Sequence, residues 1–223
     1  MSSVEMASPA IDPVLVGIWV ALRSISRGLP APVAVGDGFR VDSGLADETA
    51  RYVFPAASGT LRRVAEAVFE PLVFLKVMAP DDAVRALLPP RWAMQTTHRM
   101  MILPGPMTAG PAPRPDGYAL AVEKQGPVQV VRITAADGSL AARGRSVARD
   151  GIVTYDQIAT AEAHRRRGLG RALMAALESQ ARRHGETQVL VATEAGRALY
   201  QTLGWGDYAP YATAVIPSPA QPG

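Results

Sequence analysis

Three consecutive arginines and two closely spaced glycines form a cluster suited to holding a phosphate-bearing anion. The residues run Arg165-Arg166-Arg167-Gly168-Leu169-Gly170-Arg171 and follow a strand-like segment, residues 151–160. The glycines allow a tight turn and leave no Cβ in the way of a ligand. A helix that begins at this turn presents unpaired N–H groups and the positive end of its dipole. The sequence therefore predicts an anion site here.

Apolar residues after the turn recur at helical spacing and predict an amphipathic helix over residues 168–184, with Gly185 as its stop. The apolar stripe comprises Leu169, Ala172, Leu173, Ala176, Leu177 and Ala181. Residues 162–184 hold six arginines and two glutamates, a local charge of +4 against +3 for the whole chain. This focus suits a polyanionic cofactor better than a nucleic-acid groove, which needs a longer basic surface and stacking aromatics.

The composition excludes several classes of site. The chain has 223 residues, 48% of them hydrophobic, and no cysteine, so disulfides, thiolate nucleophiles and cysteine-ligated zinc are excluded. The histidines, His98, His164 and His184, lack metal-ligand spacing, so no metal site is expected. The apolar stretch Val14–Leu22 is too short to span a bilayer and lacks a charged signal-peptide start. We expect a cytoplasmic protein without membrane or nucleic-acid partners.

A second run of residues has a recognisable order. A strand-like segment, residues 187–193, precedes Glu194-Ala-Gly-Arg-Ala-Leu-Tyr200-Gln-Thr-Leu-Gly204-Trp205. The two runs resemble motifs A and B of the GNAT superfamily of acyl-CoA N-acyltransferases. Arg165-x-x-Gly168-x-Gly170 fits Arg/Gln-x-x-Gly-x-Gly/Ala, and the second run ends in the family's Leu-Tyr-x-x-Leu-Gly-aromatic pattern. The resemblance covers about residues 118–216, with Thr193 and Gly196 where the family often has Asn and Ala.

The resemblance implies acetyl-CoA as the acyl-donor cosubstrate. Backbone amides of the glycine turn would hold its pyrophosphate, and the strand before the turn would bind its pantetheine arm where that strand parts from its neighbour. A backbone N–H near Ile158 would polarise the thioester carbonyl. The cofactor-binding residues implied are Ile158, Ala159, Thr160, Arg165, Arg166, Arg167, Gly168, Leu169, Gly170, Arg171 and Thr193.

The resemblance also implies direct attack of an amine on the thioester, without a covalent intermediate. Tyr200 stands where the family often places the acid that protonates the departing thiolate, and a phenol is protonated at neutral pH. The base stays open among Asp156, Tyr155, Glu123 and a chain of waters. Strand alternation puts Tyr155 and Asp156 on opposite faces, so only one of them can face the amine.

The element pattern predicts an α+β fold: a mixed, mostly antiparallel sheet flanked by helices, with an N-terminal α+β extension or lobe. Asp12-Pro13 predicts a helix that ends near Gly28, and residues 30–37 read as a connector. Short strands and helices follow, up to a strand within residues 92–103. Five prolines and three glycines in residues 104–117 mark a boundary. The predicted divisions are 1–110, a GNAT core at 111–217 and a tail at 218–223.

The functional prediction is an acetyl-CoA-dependent N-acetyltransferase that acts on a primary amine of a small molecule or peptide. The alternative is a non-catalytic acyl-CoA sensor or regulatory module that has kept the cofactor cleft. A third hypothesis is a phosphate-ligand or nucleic-acid binder that uses the arginine run, for which affinity would fall with salt. In this architecture the acceptor is expected to be chosen by the early helices and the last strands, and a homodimer is possible.

Overall fold

A computed structural model describes residues 11–108, 115–181 and 185–218. The predicted class is confirmed: a large, mostly antiparallel sheet is flanked by helices. The helices are α1 (Pro13–Arg27), α2 (Gly59–Ala67), α3 (Asp81–Arg85), α4 (Leu169–Ala181) and α5 (Glu194–Gln201), with a 3₁₀ turn at Glu162–His164. The strands are β1 (Val33–Val35), β2 (Gly38–Val41), β3 (Ala50–Phe54), β4 (Val73–Val77), β5 (Ala93–Met94), β6 (His98–Pro104), β7 (Tyr118–Gln125), β8 (Val128–Ala135), β9 (Leu140–Arg149), β10 (Gly151–Thr160), β11 (Gly185–Ala192) and β12 (Gly206–Val215).

Helix α1 begins and ends where its capping residues predict. The Asp12 carboxylate accepts a hydrogen bond from the Val14 amide, and Pro13 occupies the first turn, where no N–H partner is needed. Gly28 closes the helix in the left-handed conformation with φ 66°. The buried face of α1, which includes Val16 and Trp19, packs against β9 and β10. This contact places the C-terminal end of α1 beside β10.

In the part of the chain that the structure describes, the sheet has twelve strands in the order β1-β2-β3-β4-β12-β6-β11-β10-β9-β8-β7, with β5 also paired to β12. Two neighbouring pairs are parallel, β3 with β4 and β10 with β11, and each is joined through a helix. Helix α4 packs over β8, β9 and β10 on the face opposite α1. Within the described ranges, no helix is long and apolar enough to cross a membrane.

The chain folds as two halves with the same order of elements. In each half, antiparallel strands lead to a strand–helix–strand unit with parallel strands (β3-α2-β4 and β10-α4-β11), and a short helix and a last strand follow. The last strands are exchanged: β6 of the first half pairs with β11, and β12 of the second half pairs with β4. β6 and β12 also pair with each other at the junction. Apart from α1, β5 and one additional antiparallel strand in the second half, the two halves follow the same element order.

Most predicted elements appear with small differences at their ends. The strand expected within residues 92–103 is divided into β5 and β6, and residues 33–35 of the expected connector form the short edge strand β1. The helix expected to reach 184 is described to Ala181, since residues 182–184 lie outside the described ranges, as do 1–10, 109–114 and 219–223. The division at 110/111 stays a prediction, although β6 lies before it and pairs with β11 beyond it.

Candidate active site

Strands β10 and β11 part from each other halfway along β10 and near the end of β11. Their parallel pairing ends at Tyr155 and Leu190. Beyond that point β11 stays paired with β6, and β10 stays paired with β9 through Ala159 and Thr160. A β-bulge lies at the parting point, where Gln157 has φ 55° and the β9–β10 register shifts. The parting leaves a wedge in the sheet with open backbone edges.

The loop after β10 ends in a turn that leaves backbone amides free. Gly168 has φ 78° and Arg166 has φ 63°. Positive φ values favour glycine, which accounts for glycine at position 168. The first hydrogen bond of α4 runs from the Ala172 amide to the Gly168 carbonyl. Among the described residues, the amides from Arg166 to Arg171 take part in no backbone hydrogen bond. These amides and the helix dipole form an anion-binding turn.

Two predicted features of this turn have a different physical basis. The Arg165 amide is already used, because it donates to the Glu162 carbonyl and closes the 3₁₀ turn; its guanidinium is what remains for a ligand. Gly170 is required by helix packing, because a Cβ there would lie 2.7 Å from Leu199 Cδ2 of α5. Only Gly168 serves the turn itself.

The arginine side chains lie at the protein surface around this turn. Arg167 Nη1 donates to the Tyr118 hydroxyl at 3.0 Å, and Arg171 Nη2 donates to Thr202 Oγ1 at 3.0 Å. Tyr118 also contacts His164 Nδ1 at 3.1 Å. His164 therefore ties the 3₁₀ turn to β7. The fixed positive charges stand next to the free amides.

A cavity of about 270 Å³ opens from the wedge toward the other face of the sheet. It lies at the junction of the two halves, between α1, β4, β6 and β12 on one side and β10, β11 and α5 on the other. Three predicted site residues line it: Ile158, Thr193 and Tyr200. Ala159 and Thr160 lie on the open edge of β10, and the arginine–glycine turn lies outside the cavity lining.

The cavity also contains side chains that sequence reasoning did not select: Trp19, Arg23, Arg27, Lys76, His98, Tyr211 and Thr213. They come from α1, β4, β6 and β12. The i, i+4 spacing of Arg23 and Arg27 on one helix face was the only local signal. The others are brought together by strand register, which no local pattern encodes.

Tyr200 is buried at the edge of the cavity. Its side chain is 6% exposed and packs against the Trp205 ring, with ring centroids 6.1 Å apart. Burial raises the pKa of the Tyr200 phenol to about 12, so the phenol is a proton donor at neutral pH. Gly196 makes room for this ring, because a Cβ at 196 would lie 3.2 Å from Tyr200 Cε2.

Thr193 caps the helix that carries Tyr200. Its hydroxyl accepts a hydrogen bond from the Gly196 amide at 3.2 Å and lines the cavity. The hydroxyl proton stays available to donate toward the cavity. Thr193 can thus serve both the helix and a ligand.

The three candidate bases lie in different surroundings. Asp156 lines the cavity, but Arg27 binds both of its oxygens, at 2.6 and 2.7 Å. Although burial opposes it, the Arg27 hydrogen bonds and the charges of Arg23 and Arg27 lower the pKa of Asp156. Tyr155 points to the α4 side, donates to Gln188 at 2.5 Å, and has a pKa raised by burial.

Glu123 is remote from the cavity. It is exposed on β7 and pairs with Arg132 at 2.7 Å. Hydrogen bonds from Gln125 and Arg132 lower its pKa. Tyr155 and Asp156 both line the cavity, but the Tyr155 hydroxyl is held by Gln188 on the α4 side, which leaves the Asp156 carboxylate as the candidate base for the cavity.

Comparisons with known proteins agree with this geometry. The family model described as an acetyltransferase (GNAT) domain matches residues 115–206. A GCN5-related N-acetyltransferase from Kribbella flavida is similar over 96% of this chain and 97% of that one, with a TM-score of 0.64 at 15% identity. A putative GNAT-family acetyltransferase from Novosphingobium aromaticivorans DSM 12444 is similar over 94% of this chain and 100% of that one (TM-score 0.61, 18% identity).

A tandem GNAT protein from the clavulanic acid biosynthesis pathway is similar over 73% of this chain and 68% of that one, with a TM-score of 0.52 at 14% identity. No curated protein matches the sequence. At these identities the similarity concerns the fold alone.

Proposed function

We propose that the protein is an acetyl-CoA-dependent N-acetyltransferase that acts on a primary amine, a proposal supported by the match of residues 115–206 to a family model described as an acetyltransferase (GNAT) domain. One observation carries the proposal. The wedge between β10 and β11 connects a turn of free amides with a cavity that contains a buried, protonated tyrosine. A long molecule with a diphosphate at one end and a thioester at the other fits these three features.

The donor end of the site would bind acetyl-CoA through backbone groups. The amides of Arg166 to Arg171 are donors for its diphosphate, and the guanidinium of Arg165 adds charge at the same mouth. The open edge of β10 at Ala159 and Thr160 offers hydrogen-bonding partners for the amides of the pantetheine arm. Thr193 offers a hydroxyl from the opposite side of the wedge.

The chemical step is an acyl transfer without a covalent enzyme intermediate. The amine nitrogen forms a bond to the thioester carbonyl carbon, and the carbon–sulfur bond breaks. The Tyr200 phenol gives its proton to the departing thiolate, because its raised pKa keeps it protonated until that charge develops. A backbone N–H near Ile158 stabilises the oxyanion. The products are the N-acetyl amide and free CoA.

The proton of the acceptor ammonium leaves through water. An alkyl ammonium has a pKa near 10, so it must lose a proton before attack. Asp156 is the carboxylate among the described cavity side chains, and its ion pair with Arg27 makes it a weak base. Water in the cavity carries this proton outward, and the second proton, which the nitrogen loses as the amide forms, returns through water to the Tyr200 phenolate.

The test measures CoA release from acetyl-CoA with a panel of amines, together with acetyl-CoA affinity by calorimetry. We expect Tyr200→Phe to lower kcat by about 10²–10³-fold with acetyl-CoA affinity within about twofold of wild type, because general acid catalysis contributes on this order. Tyr208→Phe, a tyrosine of β12 that does not line the cavity, is the matched control. Tight acetyl-CoA binding without turnover on any amine would refute catalysis and favour the sensor alternative.

A further inference from the structure

The acceptor side of the cavity carries an excess of positive charge. Arg23, Arg27 and Lys76 line it, and Asp156 is the carboxylate among the described lining residues. With His98 neutral, the lining has a net charge of +2. Charges in a partly enclosed site are costly unless they are paired. The excess therefore calls for an anion that the protein does not itself provide.

The single carboxylate is already committed to one of the arginines. Arg27 binds both oxygens of Asp156, whereas the closest Arg23 nitrogen, Nε, is 3.7 Å from the carboxylate. Arg23 donates from Nη1 to the Tyr211 hydroxyl at 3.2 Å, a neutral partner. Its Nε is buried and has no hydrogen-bond partner among the described residues. Arg23 thus keeps both charge and donor capacity for a ligand.

Lys76 is in a similar position on β4. Its ammonium lies 4.7 Å from the centroid of the Phe74 ring and 3.5 Å from Thr213 Oγ1, both neutral. The neighbouring acid, Glu48, is bound to Arg51 at 2.5 Å and to Ser43 at 2.8 Å. Among the described residues, no carboxylate lies within 4.0 Å of the Lys76 nitrogen. Burial, followed by the nearby arginines, lowers the pKa of Lys76 to about 8, as expected for a cation without a counterion.

We propose that the acceptor is an amine that also carries an anionic group, a carboxylate or a phosphonate-type group, which Arg23 and Lys76 hold at the far side of the cavity. The inference rests on the proposed acetyl transfer and names the acceptor class. Charge-assisted hydrogen bonds from the Arg23 guanidinium and the Lys76 ammonium supply the pairing that the protein lacks. The anion also orients the acceptor so that its amine faces the wedge between β10 and β11.

The first experiment compares length-matched acceptors. β-Alanine, 2-aminoethylphosphonate and neutral β-alaninamide, with the next longer members of each series, are tested for kcat/KM at fixed acetyl-CoA. We expect the anionic members to exceed the amide by about 10- to 100-fold, since a hydrogen bond to a charged group is worth that much. Comparison of the carboxylate with the phosphonate acceptors shows which of the two anionic groups the site prefers. Amides that react as well as the acids would overturn the inference and leave acetyl transfer intact.

The second experiment asks whether the two cations cause the preference. We expect Lys76→Met and Arg23→Gln each to reduce the acid-to-amide ratio of kcat/KM by about tenfold or more. The chain has one other lysine, Lys124, which is exposed on β7, so Lys124→Met is the matched control. Thermal unfolding verifies that each variant is folded. An unchanged ratio in both folded variants would overturn the assignment of Arg23 and Lys76.

A binding measurement keeps the inference separate from catalysis. Biosynthetic ¹³C-lysine labelling gives two side-chain signals, which Lys76→Met assigns. Addition of β-alanine or 2-aminoethylphosphonate should raise the titration midpoint of Lys76 and leave that of Lys124 unchanged. No movement of the Lys76 midpoint at saturating concentrations of either compound would contradict the inference, even if the enzyme acetylates other amines.

Discussion

Lys76 illustrates how a single residue can serve binding at the expense of stability. It is partly buried, has neutral hydrogen-bonding surroundings and stands near Arg23 and Arg51. Its pKa of about 8 in the folded protein lies below the 10.5 of an unperturbed lysine. Between these values the unfolded chain binds more protons than the folded chain, so this residue makes stability rise with pH in that window. Below about pH 8 Lys76 is charged in both the folded and the unfolded chain, so the full cost of burying its charge lowers the stability.

Replacement of Lys76 should therefore stabilise the protein in the absence of an acceptor. We expect Lys76→Met to raise the free energy of unfolding at pH 7 by about 1–3 kcal/mol, with a smaller gain near pH 10. Urea unfolding of wild type, Lys76→Met and Lys124→Met at both pH values checks this. A gain of equal size at both pH values, or a loss at pH 7, would show that the charge of Lys76 is not the cause.

At the level of secondary structure, a buried network of hydrogen bonds holds α4 against the sheet. Tyr155 of β10 donates to Gln188 of β11, and the Gln188 amide donates to Glu178 of α4 at 3.1 Å and to the Gly105 carbonyl at 2.6 Å. Glu178 also accepts from the Met107 amide at 2.6 Å. The network holds together the three elements that border the wedge, on the side away from the cavity.

Removal of one hydroxyl from this network should cost more than removal of a surface hydroxyl. Tyr155→Phe leaves the Gln188 carbonyl oxygen without its buried donor, and we expect a loss of about 1–3 kcal/mol in the free energy of unfolding. Tyr208→Phe, which loses an exposed bond from the Asp12 amide, should cost about 1 kcal/mol or less. Chemical denaturation measures both. Equal losses would mean that the network does not stabilise the fold.

Elements with local chemical signals could be predicted from the sequence. Asp12 and Gly28 mark α1, and Gly168 with the following apolar stripe marks the turn and α4. Tyr200 could be placed at the site through motif B alone. Arg23 and Lys76, the cations of the acceptor side, could not be predicted as site residues. They come together only when α1 and β4 pack and pair with β12. The exchange of the last strands depends on pairing between residues far apart in the sequence, which the local spacing of apolar residues cannot predict.

In the whole molecule, the two halves have a similar order of strands and helices but differ in their capacity to bind a diphosphate. In the first half β3 and β4 are paired at all five residues, so no wedge opens between them. The N-terminus of α2 is capped by Ser58, whose hydroxyl accepts from the Leu61 amide and donates to Asp37. A carboxylate beside a capped helix end repels a diphosphate.

One chain should therefore bind one acetyl-CoA. Isothermal calorimetry should give one equivalent per chain, because among the described residues only the second half combines free amides with parted strands. Gly168→Glu adds bulk and negative charge at the turn and should abolish the binding heat while circular dichroism remains native. Two equivalents in wild type would show that the first half has a cleft of its own, and unchanged binding in Gly168→Glu would contradict the placement of the diphosphate at this turn.

The exchanged last strands have a consequence for synthesis on the ribosome. The outer edge of β4 is covered by residues 212–215 of β12, so the first half emerges with an unsatisfied strand edge and keeps it until β12 has been synthesised. Open edges invite pairing with other chains. A nascent chain that stalls before β12 would be aggregation-prone, and separately expressed halves would be expected to become soluble only when they are produced together.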